Sequence, residues 1–212
     1  DGEHRVPSPG ELAKTRECVG MHLVHLDAKN ITVQFERPGV RVDLGAIGKG
    51  FALDIVGQIV REAGITSALI HGGTSTVCAI GSPPEKDFWK VAIEHPGCEQ
   101  SAADIPEHKR LVAVAELNDE SFSVSASWGK AFEENGVSYG HVLDPRCGQP
   151  TQNTLLAAVA LPSGTAADAW STALLVSGVA GPVALGQVGE SARSLLLLPD
   201  GDSGFRTLNN GF

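Results

Sequence analysis

Asp43-Leu-Gly-Ala-Ile-Gly-Lys-Gly-Phe-Ala-Leu-Asp54 reads as an extended segment that ends in a glycine-rich turn and feeds straight into a helix. The strand covers Val40–Leu44 and the helix runs from about Ile47 to Ala63, where Gly64 supplies a stop. Ile47, Phe51, Ile55, Val56, Ile59 and Val60 recur at three- and four-residue spacing and are expected to face the core. Free N–H groups at such a helix start, with the positive end of its dipole, make a seat for phosphate, and Lys49 adds a point charge. Glycine at 45, 48 and 50 lets the backbone approach a ligand closely or offer a carbonyl. The pattern is neither a Walker A loop nor G-x-G-x-x-G, and taken alone it suits any tight turn that starts a helix.

Working outward, Met21–Leu26 and Ile31–Glu36 read as a hairpin around Asp27-Ala-Lys-Asn30, behind a short helix at Gly10–Cys18. Strands are expected at Ser67–Ile70, Thr76–Ile80, Trp89–Ile93, Leu111–Leu117, Phe122–Ser125, Gly140–Leu143, Leu155–Leu161 and Arg193–Leu198. Further helices are expected at Ala166–Val176 and Pro182–Val188, and Gly97–Arg110 reads as a flexible loop. Many strands with few helices between them predict an α+β fold, with mixed or antiparallel sheets packed against helices. At 212 residues and 42% hydrophobic content the chain makes one domain, or two closely fused lobes.

Sixteen basic against 25 acidic residues give a formal charge of −9, which argues against wrapping a nucleic acid. A nucleotide ligand stays possible, because one metal and a few donors can meet its charge. No apolar run approaches about 18 residues, so no transmembrane segment is expected. Cys18, Cys78, Cys98 and Cys147 form no C-x-x-C pair, and a structural zinc site is not expected. The opening Asp-Gly-Glu-His-Arg is not an initiator segment and says nothing direct about compartment.

Three later stretches carry chemistry. His71-Gly-Gly-Thr-Ser75 closes a strand, and Gly72, Gly73 and Thr74 suit a ligand passing close to the backbone, or a plain turn. In His141-Val-Leu-Asp-Pro-Arg-Cys-Gly-Gln-Pro150, His141 and Asp144 flank two apolar residues before a forced turn. His141 is the candidate general base, since imidazole titrates near neutrality. In Ala166-Ala-Asp-Ala-Trp-Ser-Thr172, Asp168 and Thr172 lie four apart and project from one helix face. A carboxylate plus a hydroxyl suits magnesium with a phosphate completing the shell, although Asp168 could equally cap the helix or face solvent.

Together and in this order, the four stretches resemble the FAD:protein FMN transferases, the family often called ApbE. Phe88-Trp-Lys-Val-Ala-Ile-Glu-His-Pro96 resembles that family's Trp-x-Val-x-Ile-x-x-Pro strand. The resemblance covers roughly residues 10–200 and implies an ApbE-like flavin transferase fold. Residues 1–212 would then be the C-terminal two-thirds of the usual family domain. It implies magnesium-dependent transfer of FMN from FAD to a threonine of an acceptor protein in a redox complex, with release of AMP. An FAD carrier without transfer activity and an FAD pyrophosphatase giving FMN and AMP are the alternatives.

Carried over by motif, Asp168, Thr172 and the main-chain carbonyl of Gly48 would hold Mg2+. Lys49 would lie near the phosphates, and Asp54 would recognise the adenine. Gly72, Gly73, Thr74, Ser125, His141 and Asp144 would line the rest of FAD, with His141 activating the threonine hydroxyl. The resemblance also implies a periplasmic or envelope-facing location. Departures cluster at the flavin end: Ser125-Ala-Ser127 stands for Thr-Ser-Gly, Thr74 for a frequent aspartate, and Cys147 for a threonine. Family members usually carry a further segment before this region.

Overall fold

Ser8 opens the first helix by a reciprocal cap. Its hydroxyl accepts from the Glu11 N–H, and the Glu11 carboxylate accepts from the Ser8 N–H at 2.8 Å. The computed structural model describes residues 5–96, 110–129, 131–187, 189, 191–201 and 204–212. The first elements are α1 (Pro9–Arg16), β1 (Val24–Asp27), β2 (Thr32–Phe35), α2 (Gly48–Glu62), β3 (Ala68–Gly72), β4 (Thr76–Ile80), β5 (Trp89–Glu94), β6 (Leu111–Leu117) and β7 (Ser121–Ala126). They continue with β8 (Ala131–Glu134), β9 (Val137–Gly140), β10 (Leu143–Asp144), β11 (Gln149–Pro150), β12 (Leu156–Leu161), α3 (Gly164–Ser177), α4 (Gly181–Gly186), β13 (Arg193–Asp200) and β14 (Gly204–Asn210).

The chain divides into two compact units, one of Asp1–Asp43 with Gly129–Thr151 and one of Leu44–Trp128 with Gln152–Phe212. The smaller unit is built from hairpins: β1 with β2, β8 with β9, and the short β10 with β11. Asp27 closes the first turn by accepting from the N–H groups of Lys29 and Asn30, both at 3.0 Å. Within this unit the Val6 N–H donates to Glu134 at 2.7 Å, and Arg16 donates to the carbonyl of Arg146.

The larger unit rests on a six-stranded, wholly antiparallel sheet in the order β14-β13-β12-β7-β4-β3. The apolar runs Leu155–Leu161 and Leu195–Leu198 supply two of its inner strands: β12 is buried along its whole length, and Ser194–Leu198 of β13 likewise. One face carries Phe122, Leu156, Ala158, Ala160, Leu195 and Leu197 into a core closed by Ile93, Ala115 and Leu117 from the β5–β6 hairpin. Strand alternation turns Ser121, Ser123 and Ser125 to the other face, where α3 lies. The α+β class expected from the sequence is thus observed, with antiparallel pairing throughout. By length and composition alone Gly164–Gly186 could cross a membrane. Inside this unit, however, α3 is a core helix that buries Ala167, Asp168, Ser171, Leu174 and Leu175.

Several elements depart from expectation. Val40–Leu44 joins no ladder among the described residues and runs as irregular chain into α2. Met21–Leu23 is a 3-10 turn, and the single strand expected at Gly140–Leu143 is the end of β9 followed by β10. The polar final strand β14 and the β8–β9 hairpin were not anticipated. The expected loop at Gly97–Arg110 lies almost wholly outside the described residues, as does Val188, the expected end of the last helix.

The main correction concerns α2. Its period is helical, but its phase is opposite to the one expected. Phe51, Ile55, Val56 and Ile59 are exposed, Phe51 at 57% and Ile59 at 58%. The buried stripe is Gly50, Leu53 and Gly57, with Val60 alongside. Leu53 packs with Cys78 and Ile80, and a Cβ on Gly57 would stand 3.2 Å from Cys78 Sγ. Small residues were chosen for contact because α2 lies very close to its neighbours, and apolarity alone does not register that.

Candidate functional site

The site grows from the approach of two helix starts in the larger unit. A Cβ on Gly50 of α2 would lie 2.0 Å from the carbonyl oxygen of Gly164 in α3, so only glycine fits there. That approach lets the Gly50 N–H donate to Asp168 Oδ2 at 3.1 Å. Lys49 Nζ lies 3.0 Å from Oδ1 and 3.4 Å from Oδ2 of the same carboxylate. Asp168 is only 2% exposed, so it neither caps α3 nor faces solvent. A carboxylate this deep persists because a cation and fixed donors compensate it.

Hydroxyls complete the surroundings. Thr76 Oγ1 and Ser123 Oγ reach Asp168 Oδ1 at 3.4 and 3.3 Å and are 3.1 Å from each other, as their cross-strand register requires. Ser171 Oγ is 3.3 Å from Ser123 Oγ, and Ser125 Oγ is 2.8 Å from Ser171 Oγ and 3.0 Å from Thr172 Oγ1. A continuous line of hydroxyls therefore joins Thr172 to Asp168. Ser125 belongs to it, which ties that predicted residue to the predicted Asp168 and Thr172. Thr76, Ser123 and Ser171 were missed: the alternation Ser121-Phe-Ser-Val-Ser125 marks one strand face of hydroxyls, Ser123 among them, but not what that face reaches.

Asp54 has a role its sequence position does not disclose. Its Oδ1 accepts from the Gly164 N–H at 2.6 Å, and Oδ2 accepts from Ser163 Oγ at 2.9 Å, Thr165 N–H at 3.0 Å and Thr165 Oγ1 at 2.7 Å. It thereby satisfies the free N–H groups at the start of α3, the helix that carries Asp168. Burial by itself raises its pKa, but the hydrogen bonds from Thr165, Gly164 and Ser163 outweigh that and hold it below the ordinary aspartate value.

Gly72 ends β3 beside Leu53 of α2, Gly73 turns with φ +76°, and Thr74 is exposed in the β3–β4 turn. That turn leads directly to Thr76. Gly48 stands at the exposed start of α2, two residues from Gly50, and a Cβ there would meet open space. His141 and Asp144 belong to the smaller unit. His141 is exposed, just after β9. Asp144 is gripped by Arg146, whose backbone N–H, Nε and Nη2 donate to it at 2.9, 2.8 and 2.6 Å. Those side-chain bonds hold its pKa below the usual range.

Among the described residues no group of three or more His, Cys, Asp or Glu could hold a metal, and Cys18, Cys78 and Cys147 are free thiols. A single buried carboxylate, a nearby hydroxyl and a helix-start carbonyl nonetheless fit magnesium, which keeps several waters and takes substrate phosphate oxygens.

Comparison with known proteins bears on the family and the fold. The chain is 32% identical over 175 residues to the FAD:protein FMN transferase of Haemophilus influenzae, covering 81% of this chain and 48% of that protein. It is 28% identical over 176 residues to the FAD:protein FMN transferase of Salmonella typhimurium, covering 82% and 48%. The fold matches the crystal structure of the ApbE protein of Thermotoga maritima with a TM-score of 0.80 at 27% identity, covering 98% of this chain and 63% of that one. It matches the apo flavinyl transferase ApbE of Pseudomonas stutzeri at 0.77 and 27%, covering 98% and 60%. The chain spans about half the length of the curated relatives named here. Because the ApbE family profile matches residues 1–190 as well, the chain belongs to the ApbE family.

Proposed function

We infer that this chain carries the catalytic part of a magnesium-dependent flavin transferase, which moves FMN from FAD to a threonine hydroxyl of an acceptor protein and releases AMP. The observation that carries the reading is the buried Asp168 carboxylate, joined through hydroxyls to Thr172 and set beside the N–H groups at the start of α2. Asp168, Thr172 and the Gly48 carbonyl would hold Mg2+, and position 48 makes no demand on a side chain, since a Cβ there would meet open space. Bound there, the metal supplies charge neutralisation at the diphosphate.

The chain's own residues do the rest. Lys49 and the exposed turn at Gly72, Gly73 and Thr74 take the diphosphate and its neighbourhood, and Ser125 orients Thr172. Asp54 is assigned to the adenine. Oδ2 already accepts three hydrogen bonds from the start of α3 and Oδ1 only one, so an adenine donor would meet Oδ1. His141 accepts the proton of the acceptor's threonine hydroxyl. That oxygen forms the new bond to the FMN phosphorus, while the bond from this phosphorus to the bridging oxygen breaks and AMP leaves with the electron pair. The acceptor is a protein of a redox complex, since a covalently held flavin serves electron transfer.

The test is incubation with FAD, magnesium and a threonine-containing acceptor, following AMP release and in-gel flavin fluorescence. Fluorescence fixed to the acceptor together with AMP supports transfer. AMP without it points to hydrolysis, and bound FAD with no AMP to a carrier. Unchanged magnesium-dependent turnover in Asp168→Ala would remove the metal assignment.

A further inference from the structure

Lys49 stands where a metal would compete with it. Its ammonium lies 3.0 and 3.4 Å from the two oxygens of Asp168, the residue assigned above to magnesium. The carboxylate is 2% exposed while the lysine side chain is 41% exposed. The two partners are therefore unequal: Asp168 is fixed by Gly50, Thr76 and Ser123, whereas Lys49 reaches in from a partly solvated position on a flexible stem. An ammonium and a magnesium ion are both hard cations that seek the same oxygens. Two such charges within about 4 Å of each other repel strongly in a partly buried site.

We propose that Lys49 is a built-in counter-cation for Asp168 that metal entry displaces. This rests on the magnesium reading of Asp168. Without metal, Lys49 pairs with the buried carboxylate and holds its geometry, since an unpaired charge at that depth is strongly destabilising. When the metal binds, Asp168 exchanges one cation for another and the ammonium is released toward the anionic ligand. The exchange lowers metal affinity in the absence of a diphosphate. A diphosphate that attracts Lys49 removes the competition, so the two ligands favour each other's binding.

The test measures binding of Mn2+ alone, without nucleotide, by paramagnetic resonance and by thermal unfolding of the full chain. Lys49→Met is expected to bind Mn2+ roughly tenfold more tightly than the unsubstituted chain, a change of one decade in Kd. Its metal-free form is expected to melt at lower temperature and to gain more from Mn2+. Lys49→Arg is expected to bind Mn2+ more weakly than the unsubstituted chain, because a guanidinium fork grips both carboxylate oxygens at once. Equal or weaker Mn2+ binding by Lys49→Met, or tighter binding by Lys49→Arg, overturns the proposal. Asp168→Asn separates it from the reading beneath it: loss of Mn2+ binding there leaves the metal assignment standing, whereas unchanged binding removes both.

Discussion

Gly50 and Gly164 meet backbone to backbone, so that a Cβ on the first would lie 2.0 Å from the carbonyl oxygen of the second. This close approach of α2 and α3 brings the Gly50 N–H onto Asp168 and the Asp54 carboxylate onto the first turn of α3. Gly50→Ala forces the helix starts apart. It is expected to lower stability by about 3 kcal/mol, the upper end of ordinary overpacking. Urea denaturation measures this, and a loss well under half that size would show that the helices separate easily.

Asp54 gives a pH-dependent contribution. Its folded pKa is lowered, so the stability it adds is fully present above the ordinary aspartate value and is lost as pH falls through the lowered one. Asp54→Asn is expected to cost about 2 kcal/mol at neutral pH by weakening the α3 cap. The gap between the two proteins should narrow as the solution is made acid. A gap that stays constant across that range would mean that the carboxylate charge does not matter to the cap.

The hydroxyls on Asp168 should act as a unit. Thr76→Val and Ser123→Ala are each expected to cost about 1 kcal/mol, as for an ordinary buried hydrogen bond. The two side chains are 3.1 Å apart, so the double variant should fall short of the sum. A double-mutant cycle by chemical denaturation decides it, and strict additivity would mean that the two act separately.

His141→Ala addresses the base. Transfer is expected to fall by about a hundredfold or more, well beyond any loss of FAD affinity, because a general base acts on the nucleophile in the transition state. Single-turnover flavinylation and FAD titration together resolve the two effects. Turnover at the unsubstituted rate would exclude His141 from the chemistry.

The sequence showed where the elements lie better than it showed which way they turn. Thr76–Ile80 and Leu111–Leu117 were legible to the residue as runs of strand-forming side chains. β14 was not, because Gly204–Asn210 is polar and owes its conformation to pairing along β13. In α2 the spacing revealed the helix but the largest apolar residues misdirected its phase, since close packing favoured Gly50 and Gly57 over Phe51 and Ile59. Asp168 and Thr172 were visible at four-residue spacing, whereas Thr76 and Ser123 stand 92 and 45 residues from Asp168 and carry no local sign of it.

Local chemistry is what the sequence determined by itself: a glycine-rich turn entering a helix, a carboxylate and a hydroxyl on one helical face, and strands long and apolar enough to be central. Helix spacing and strand alternation depend on bonds only a few residues apart, so the order of residues suffices to reveal them. Tertiary structure decided how deep Asp168 lies, which cation accompanies it, which face of α2 is covered, and that Asp54 caps α3. Those outcomes depend on how nearly two backbones can approach and on which donors desolvation forces together, and both are set by residues far apart in the chain.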